Sequence, residues 1–127
     1  MNCPFCTINE SLIVVQSTTG IALRDAFPVA DGHTLVVPCQ HVASIFDLTE
    51  TDQAQIWSLV AQVRSALADQ LSPDAFNIGV NDGEAAGQTV THARVHIIPR
   101  FRGDVPDPRG GIRWVIPDNA VYWENSS

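Results

Sequence analysis

The segment Val90-Thr91-His92-Ala93-Arg94-Val95-His96-Ile97-Ile98 holds the chain's most reactive spacing. His92 and His96 are four apart, which on a helix would offer two metal ligands on one face. The run is rich in β-branched residues and closes at Pro99, so it predicts a strand over 89–98 instead. Side chains alternate between the faces of a strand, so Val90, His92, Arg94, His96 and Ile98 would share one face, with neighbours about 7 Å apart. A guanidinium flanked by two imidazoles is unfavourable unless an anion or a metal offsets it, and phosphate is a suitable guest. Either histidine alone could equally satisfy a hydrogen bond in the core. Two of them on one face favour a site.

Three further features bear on that site. Gly83-Glu84-Ala85-Ala86-Gly87-Gln88-Thr89 precedes the strand, and small residues there let backbone N–H groups approach an oxyanion. Such a loop often only turns the chain. Cys3-Pro4-Phe5-Cys6 is a C-x-x-C pair, either half of a zinc site or a redox pair, although no strand precedes it as in a thioredoxin-like motif. As half of a zinc site it needs two more ligands from afar, and His41 and His92 are candidates for a tetrahedral Cys2His2 set. Cys39 has no partner at a telling spacing and reads as a structural thiol. Finally, the chain has no lysine. Five of its seven cationic residues (Arg94, Arg100, Arg102, Arg109 and Arg113) lie within twenty positions, against Asp104 and Asp107, a local +3 in a chain of net charge −7. A broad basic face for nucleic acid is not what this pattern offers. Arginines gripping a small anion such as phosphate fit it better, with surface ion pairing as the plainer alternative.

The elements that must position these residues follow from patterning. Leu12 to Val15 and Ile21 to Leu23 flank Thr18-Thr19-Gly20 and predict a hairpin. Asp31-Gly32 is a turn signal, and His33 to Val37 predicts a strand ending at Pro38. Thr49, with Asp52 three residues on, can cap a helix in which Ile56, Leu59, Val60, Val63 and Leu67 recur at helical spacing. Ser72-Pro73-Asp74 stops it. Phe76, Ile78 and Val80 alternate with polar or small residues, a strand with one polar face. Ile112 to Ile116 predicts a last short strand, with Trp114, Tyr122 and Trp123 as late aromatic anchors. The expected class is α+β, a mainly antiparallel sheet of about five strands with one long helix.

With 127 residues, 45% of them apolar, the chain suits one globular domain over 1–127, its last few residues a tail. No apolar run approaches the roughly 20 residues of a membrane span, and no signal peptide is read at the N-terminus. An odd cysteine count argues against a secreted disulfide scaffold, so the cytoplasm is the expected compartment.

Taken together, Asn81 through Arg100, the stretch from Gly32-His33 to Pro38 followed by His41, and the preceding Asp25 resemble the histidine triad (HIT) family. The similarity runs from Cys3 to about Pro117. It implies the HIT fold, a homodimer, and binding of a purine nucleotide or dinucleoside polyphosphate whose phosphoanhydride or phosphoramidate bond the family cleaves. The middle triad histidine forms a nucleotidyl intermediate that water then hydrolyses. Asp25 matches the acid that binds the ribose. Asn81, Gln88 and Thr89 match phosphate-site polar groups, and Gly87 allows close approach. His96 matches the third histidine, on phosphate. In one branch a structural zinc sits on residues matching Cys3, Cys6, His41 and His92. Arg94 stands at the nucleophile's position, and a guanidinium has no free lone pair with which to attack phosphorus. Three activities follow from that departure: a nucleotide hydrolase impaired at Arg94, a non-catalytic nucleotide sensor or binding module, or a hydrolase in which Arg94 stabilises the transition state while water attacks directly.

Overall fold

A computed structural model describes residues 3–124, so the expected tail at 125–127 lies outside the described residues. Five strands form one antiparallel sheet in the order β1-β2-β3-β5-β4. The strands are β1 (Ile13–Gln16), β2 (Gly20–Arg24), β3 (Thr34–Pro38), β4 (Ala75–Gly79) and β5 (Val95–Arg100), and a 22-residue helix α1 (Glu50–Leu71) joins β3 to β4. The α+β class expected from patterning is the one observed.

Register explains the two faces. Ala22 pairs with Val36, Val36 with Val95, and Ile97 with Ile78, so these side chains form one row facing α1. They join Ile56, Leu59, Val60, Val63 and Leu67 of the helix in the main core. The opposite row carries Leu23, Leu35 and Val37, against which Phe5, Ile8 and Leu12 of the N-terminal segment pack. His96, opposite Leu35 and Gly79, falls on this second face. The molecule is thus layered as helix, sheet and N-terminal segment.

Local chemistry sets the helix ends. The Thr49 hydroxyl accepts the Asp52 N–H at 3.1 Å, satisfying a donor that the helix leaves unpaired. At the far end Ser72 turns left-handed at φ 48°, and its N–H reaches the Ala68 carbonyl. Gly20 is the contact point between β2 and α1. A Cβ there would lie 2.8 Å from Ile56 Cδ1 and 3.2 Å from the Val37 carbonyl oxygen.

Two expected strands differ. The ladder of β5 begins at Val95, not at residue 89, and runs through Pro99 to Arg100. Continued toward the start of β5, this register sets Pro38 of β3 opposite Ala93. The Pro38 carbonyl accepts from the His92 ring at 2.8 Å, and the Ala93 N–H turns instead to the Val42 carbonyl at 2.7 Å. Pro99 lies past Ile97, the last residue paired with β3, where one side of β5 is open and a missing N–H is tolerated. The second difference is the expected strand at 112–116, which is 3-10 helix, Gly111–Val115. Arg113 donates to the carbonyls of Asn119 and Ala120, and the Trp114 indole donates to the Arg109 carbonyl, so this segment closes on itself. Stacking of Arg109 on Trp123 and Arg113 on Tyr122 reinforces the closure. Strand β4 keeps its outer edge free of any strand among the described residues.

Candidate functional site

The N-terminal turn, closed by the Cys6 N–H on the Cys3 carbonyl, brings both sulfurs to the end of the sheet. There Cys3, Cys6, His41 and His92 place one ligand atom each, all within 4.8 Å of one another. Cys3 Sγ is 3.3 Å and Cys6 Sγ 3.6 Å from His92 Nδ1, and Cys6 Sγ is 3.0 Å from His41 Nδ1. A tetrahedral zinc, with Zn–S about 2.3 Å and Zn–N about 2.0–2.1 Å, sets sulfur and nitrogen roughly 3.5 Å apart. The cluster fits. His92 is fully buried, and burial holds its pKa below the usual histidine value, opposed by the Pro38 carbonyl and reinforced by His41 and Arg94. Its Nε2–H is held by that carbonyl, leaving the Nδ1 lone pair toward the sulfurs, and such a hydrogen bond on the far ring nitrogen is what orients a metal-bound imidazole. The Cys6 thiol is pushed above its ordinary value, chiefly by its hydrogen bond with Cys3. A cation between the sulfurs would relieve that pairing.

Beside this cluster, a cleft of about 370 Å³ opens on the face opposite α1. One wall is apolar, built from Phe5, Ile8, Leu12, Leu23 and Leu35, and the polar groups Asp25, Thr89, Arg94 and His96 converge on the other. An apolar wall facing a few convergent polar groups is the usual form of a small-ligand site. The Arg94 guanidinium lies 5.0 Å over the Phe5 ring and donates to the Thr89 hydroxyl at 3.1 Å.

A hydrogen-bond chain fixes the state of His96. The Val29 N–H donates to His33 Nδ1 at 3.2 Å, so neutral His33 carries its proton on Nε2. That nitrogen is 3.0 Å from His96 Nδ1 and 3.5 Å from Asp25 Oδ2. His96 Nδ1 therefore accepts, and neutral His96 keeps its own proton on Nε2, a donor suited to a phosphate oxygen. Burial lowers the pKa of both histidines. For His33 the Asp25 charge opposes this, and for His96 the charges of His33 and Arg94 add to it while Asp25 opposes. Asp25, His33 and His96 also lie close enough to hold a metal ion. Occupation of His33 Nδ1 by the Val29 N–H argues against that use, because a metal on Nε2 would force a proton onto Nδ1.

The loop ahead of β5 borders a second, more open hollow of about 420 Å³ lined by Glu84, Gly87, Gln88, Thr89 and Thr91. Gly87, at φ 100°, adopts a conformation that side chains disfavour. The Gln88 amide is fully engaged within the loop: Oε1 accepts the Gly83 N–H, and Nε2 donates to the carbonyls of Ala43 and Val90. Its backbone N–H is held by the Gly83 carbonyl. Gln88 therefore acts as a strut, with no donor left for a phosphate.

Of the residues singled out from the sequence, the structure brings Asp25, Thr89, Arg94 and His96 to the cleft, and Cys3, Cys6, His41 and His92 to one cluster. Gly87 and Gln88 border the neighbouring hollow with Thr89. Exposed Asn81 lies next to Gly87. The row of five on one strand face does not form, because the bend at 91–94 sends His92 to the sulfurs while His96 stays on the ladder. Two residues had no role in the sequence reading. His33 follows the Asp31-Gly32 turn at the head of an apolar strand, and Phe5 lies between Cys3 and Cys6.

The model of the HIT domain family matches residues 7–103. A HIT-like protein of Mycoplasma genitalium is 40% identical over 105 residues, covering 79% of this chain and 74% of its own length. The bis(5'-nucleosyl)-tetraphosphatase (asymmetrical) of Schizosaccharomyces pombe is 42% identical over 94 residues, 74% of this chain, which spans 52% of that enzyme. Among solved structures, a HIT family protein from Bacillus anthracis matches with TM-score 0.75 and 37% identity, covering 81% of this chain and 76% of that one. A zinc-bound histidine triad family protein from Mycobacterium smegmatis matches with TM-score 0.73 and 31% identity, covering 83% and 84%.

Proposed function

Because this chain belongs to the HIT domain family, we propose that it is a single HIT domain that binds a purine nucleotide in the cleft, with covalent catalysis impaired by Arg94. The observation that carries this is the Arg94 guanidinium in the cleft that His96 also lines, stacked on Phe5 and tied to Thr89. In this reading Asp25 takes the ribose hydroxyls, and the purine lies on the apolar wall. Thr89, Arg94 and the His96 Nε2–H hold the phosphates. Asn81, Gly87 and Gln88 shape the loop around the phosphate chain. The curated tetraphosphatase relative supports a dinucleoside polyphosphate as ligand. The chemistry missing here is nucleophilic. A histidine at 94 would bond to the α-phosphorus through its free ring-nitrogen lone pair as the bridging P–O bond breaks and its electron pair leaves on the departing nucleotide. A guanidinium cannot supply that electron pair, and losing a covalent nucleophile costs roughly 10⁴- to 10⁶-fold in turnover.

The cluster Cys3, Cys6, His41 and His92 would hold a structural zinc, supported by its geometry and by the zinc-bound relative. Zinc would supply cross-linking of the terminal segment to the sheet, and chelation would loosen that segment. A reducing compartment, the cytoplasm, keeps such thiols available. Among the described residues no helix is long and apolar enough to cross a membrane. A homodimer would cover the outer edge of β4 together with exposed Ile112 and Ile116, and light scattering at micromolar concentration tests it by returning twice the chain mass.

The deciding experiment compares the native chain with Arg94→His on a diadenosine polyphosphate. The arginine form should bind without accumulating a nucleotidyl-enzyme by mass, and Arg94→His should gain turnover by several orders of magnitude. Strong hydrolysis by the arginine form would favour direct attack by water. A folded, nucleotide-binding but inert Arg94→His would favour the binding module, for which a fixed cation in the cleft is an asset.

A further inference from the structure

We propose that Phe5 couples the Cys3, Cys6, His41 and His92 cluster to the cleft, so that metal occupancy sets the affinity for a nucleotide phosphate. The inference rests on the nucleotide reading above and concerns a link between two sites that reading treats separately.

The covalent path is short. Phe5 lies between the two cysteines, so its backbone position follows theirs. Its ring meets three partners at once. It packs into the apolar cluster of Leu23, Leu35 and Val37, stands edge-on to the His92 ring with centroids 5.9 Å apart, and carries the Arg94 guanidinium at 5.0 Å. Pro4, Phe5, Ile8 and Leu12 together make much of the apolar wall of the cleft.

This wall is weakly attached to the rest of the molecule. Within residues 3–12 the backbone bonds are local, the Cys6 N–H to the Cys3 carbonyl and the Leu12 N–H to the Asn9 carbonyl. The first sheet pairing begins at Ile13. Among the described residues, the only hydrogen bonds from this segment to distant residues are the sulfur contacts to His41 and His92. Neutral thiol–imidazole contacts are weak. Four bonds to zinc would replace them with a rigid tie. With metal bound, the Phe5 ring is held and supports Arg94 over the phosphate position. Without it the segment keeps only its apolar contacts, the ring moves with the loosened turn, and Arg94 loses its platform. Linkage makes the effect reciprocal: a nucleotide that favours the ordered wall must tighten the metal by the same factor.

The test uses the full chain, zinc-loaded and chelator-treated, titrated calorimetrically with adenosine 5'-monophosphate. The expected result is about 10-fold weaker binding without zinc, within the usual range of coupling between sites. Competition with a chromogenic chelator should show zinc held tighter by the same factor when the nucleotide is present. Phe5→Ala, zinc-loaded, should keep its full metal content yet bind the nucleotide as weakly as the metal-free chain, and Phe5→Tyr should restore the affinity. The coupling is readable even where metal-free protein loses its fold, because in Phe5→Ala saturating nucleotide should no longer tighten zinc, whereas a mere lost contact with the purine would leave that tightening in place. Equal nucleotide affinity in zinc-loaded native chain and zinc-loaded Phe5→Ala overturns the coupling and leaves the nucleotide reading standing. Absence of nucleotide binding in every form overturns both.

Discussion

Acid should unfold this protein through two histidines of the cleft. His33 and His96 are both held below the ordinary histidine pKa of 6.5, first by burial. Unfolding returns each to that ordinary value. Below pH 6.5 the unfolded chain then binds protons that the native chain does not, so stability is full above that pH and falls as pH drops toward the native values. One proton per histidine corresponds to about 1.4 kcal/mol per pH unit. Between pH 7.5 and 5.5 the pair should therefore lower stability, with a slope that cannot exceed about 1.4 kcal/mol per pH unit for each histidine. In a domain of this size each kilocalorie lost lowers the melting temperature by roughly 4 °C. The geometry sets the sign independently, since the Val29 N–H on His33 Nδ1 and the His33–His96 contact leave no room for an added proton between the rings. Urea melts at closely spaced pH values measure the slope, and the difference between native chain and His96→Gln isolates one histidine from His92 and any metal. The variant should lose about half of the cleft-histidine slope. A native slope near zero from pH 7.5 to 5.5, or an unchanged slope in His96→Gln, would refute the reasoning.

Other outcomes follow from single contacts. Thr49→Ala removes the acceptor of the Asp52 N–H and should lower stability by about 1 kcal/mol in a denaturant melt. Gly20→Ala would stabilise through the unfolded chain by roughly 0.4–1 kcal/mol, but its methyl meets Ile56 and the fixed Val37 carbonyl. Overpacking of about 1–3 kcal/mol should win, giving a lower melting temperature. Gln88→Ala releases three hydrogen bonds that brace the glycine-rich loop. It should speed amide exchange and proteolysis across 83–90 while moving global stability by no more than about 1.5 kcal/mol.

The hairpin, β3 and α1 were legible because apolar period and capping chemistry agree there. Ile56, Leu59, Val60, Val63 and Leu67 mark the buried helix face, and Thr49 and Ser72 mark its ends. The start of β5 was not legible. Alternation continues back through residue 90, but a strand also needs a neighbour with free backbone groups, and the Pro38 carbonyl is taken by the His92 side chain. That competition exists only in three dimensions. The same holds at 112–116, where Arg113 bonds the Asn119 and Ala120 carbonyls and the segment closes as 3-10 helix with no ladder. In the site, the C-x-x-C spacing pointed to half of a metal cluster whose other half lies in two distant segments. At Gln88 the amide donors are spent on the Ala43 and Val90 carbonyls, partners that only the fold brings together. The role of His33 depends on which ring nitrogen faces Val29, which no pattern of letters encodes.

The unlike covers of the two sheet faces, a helix on one and a short N-terminal segment on the other, separate two ways in which a substitution can be felt. Helix α1 lies on one face, while the apolar wall, Asp25 and His96 gather on the other. Changes along the exposed side of α1 then reach the cell as changes in how much folded protein persists, where a difference of about 1–2 kcal/mol alters abundance several-fold. Changes across the sheet alter what each folded molecule does. Libraries on the exposed side of α1, sparing Gln70 whose amide meets the cleft-lining Arg24, can therefore raise heat tolerance without disturbing the cleft, and a stabilised helix provides the margin within which disruptive substitutions at the cleft remain folded enough to assay.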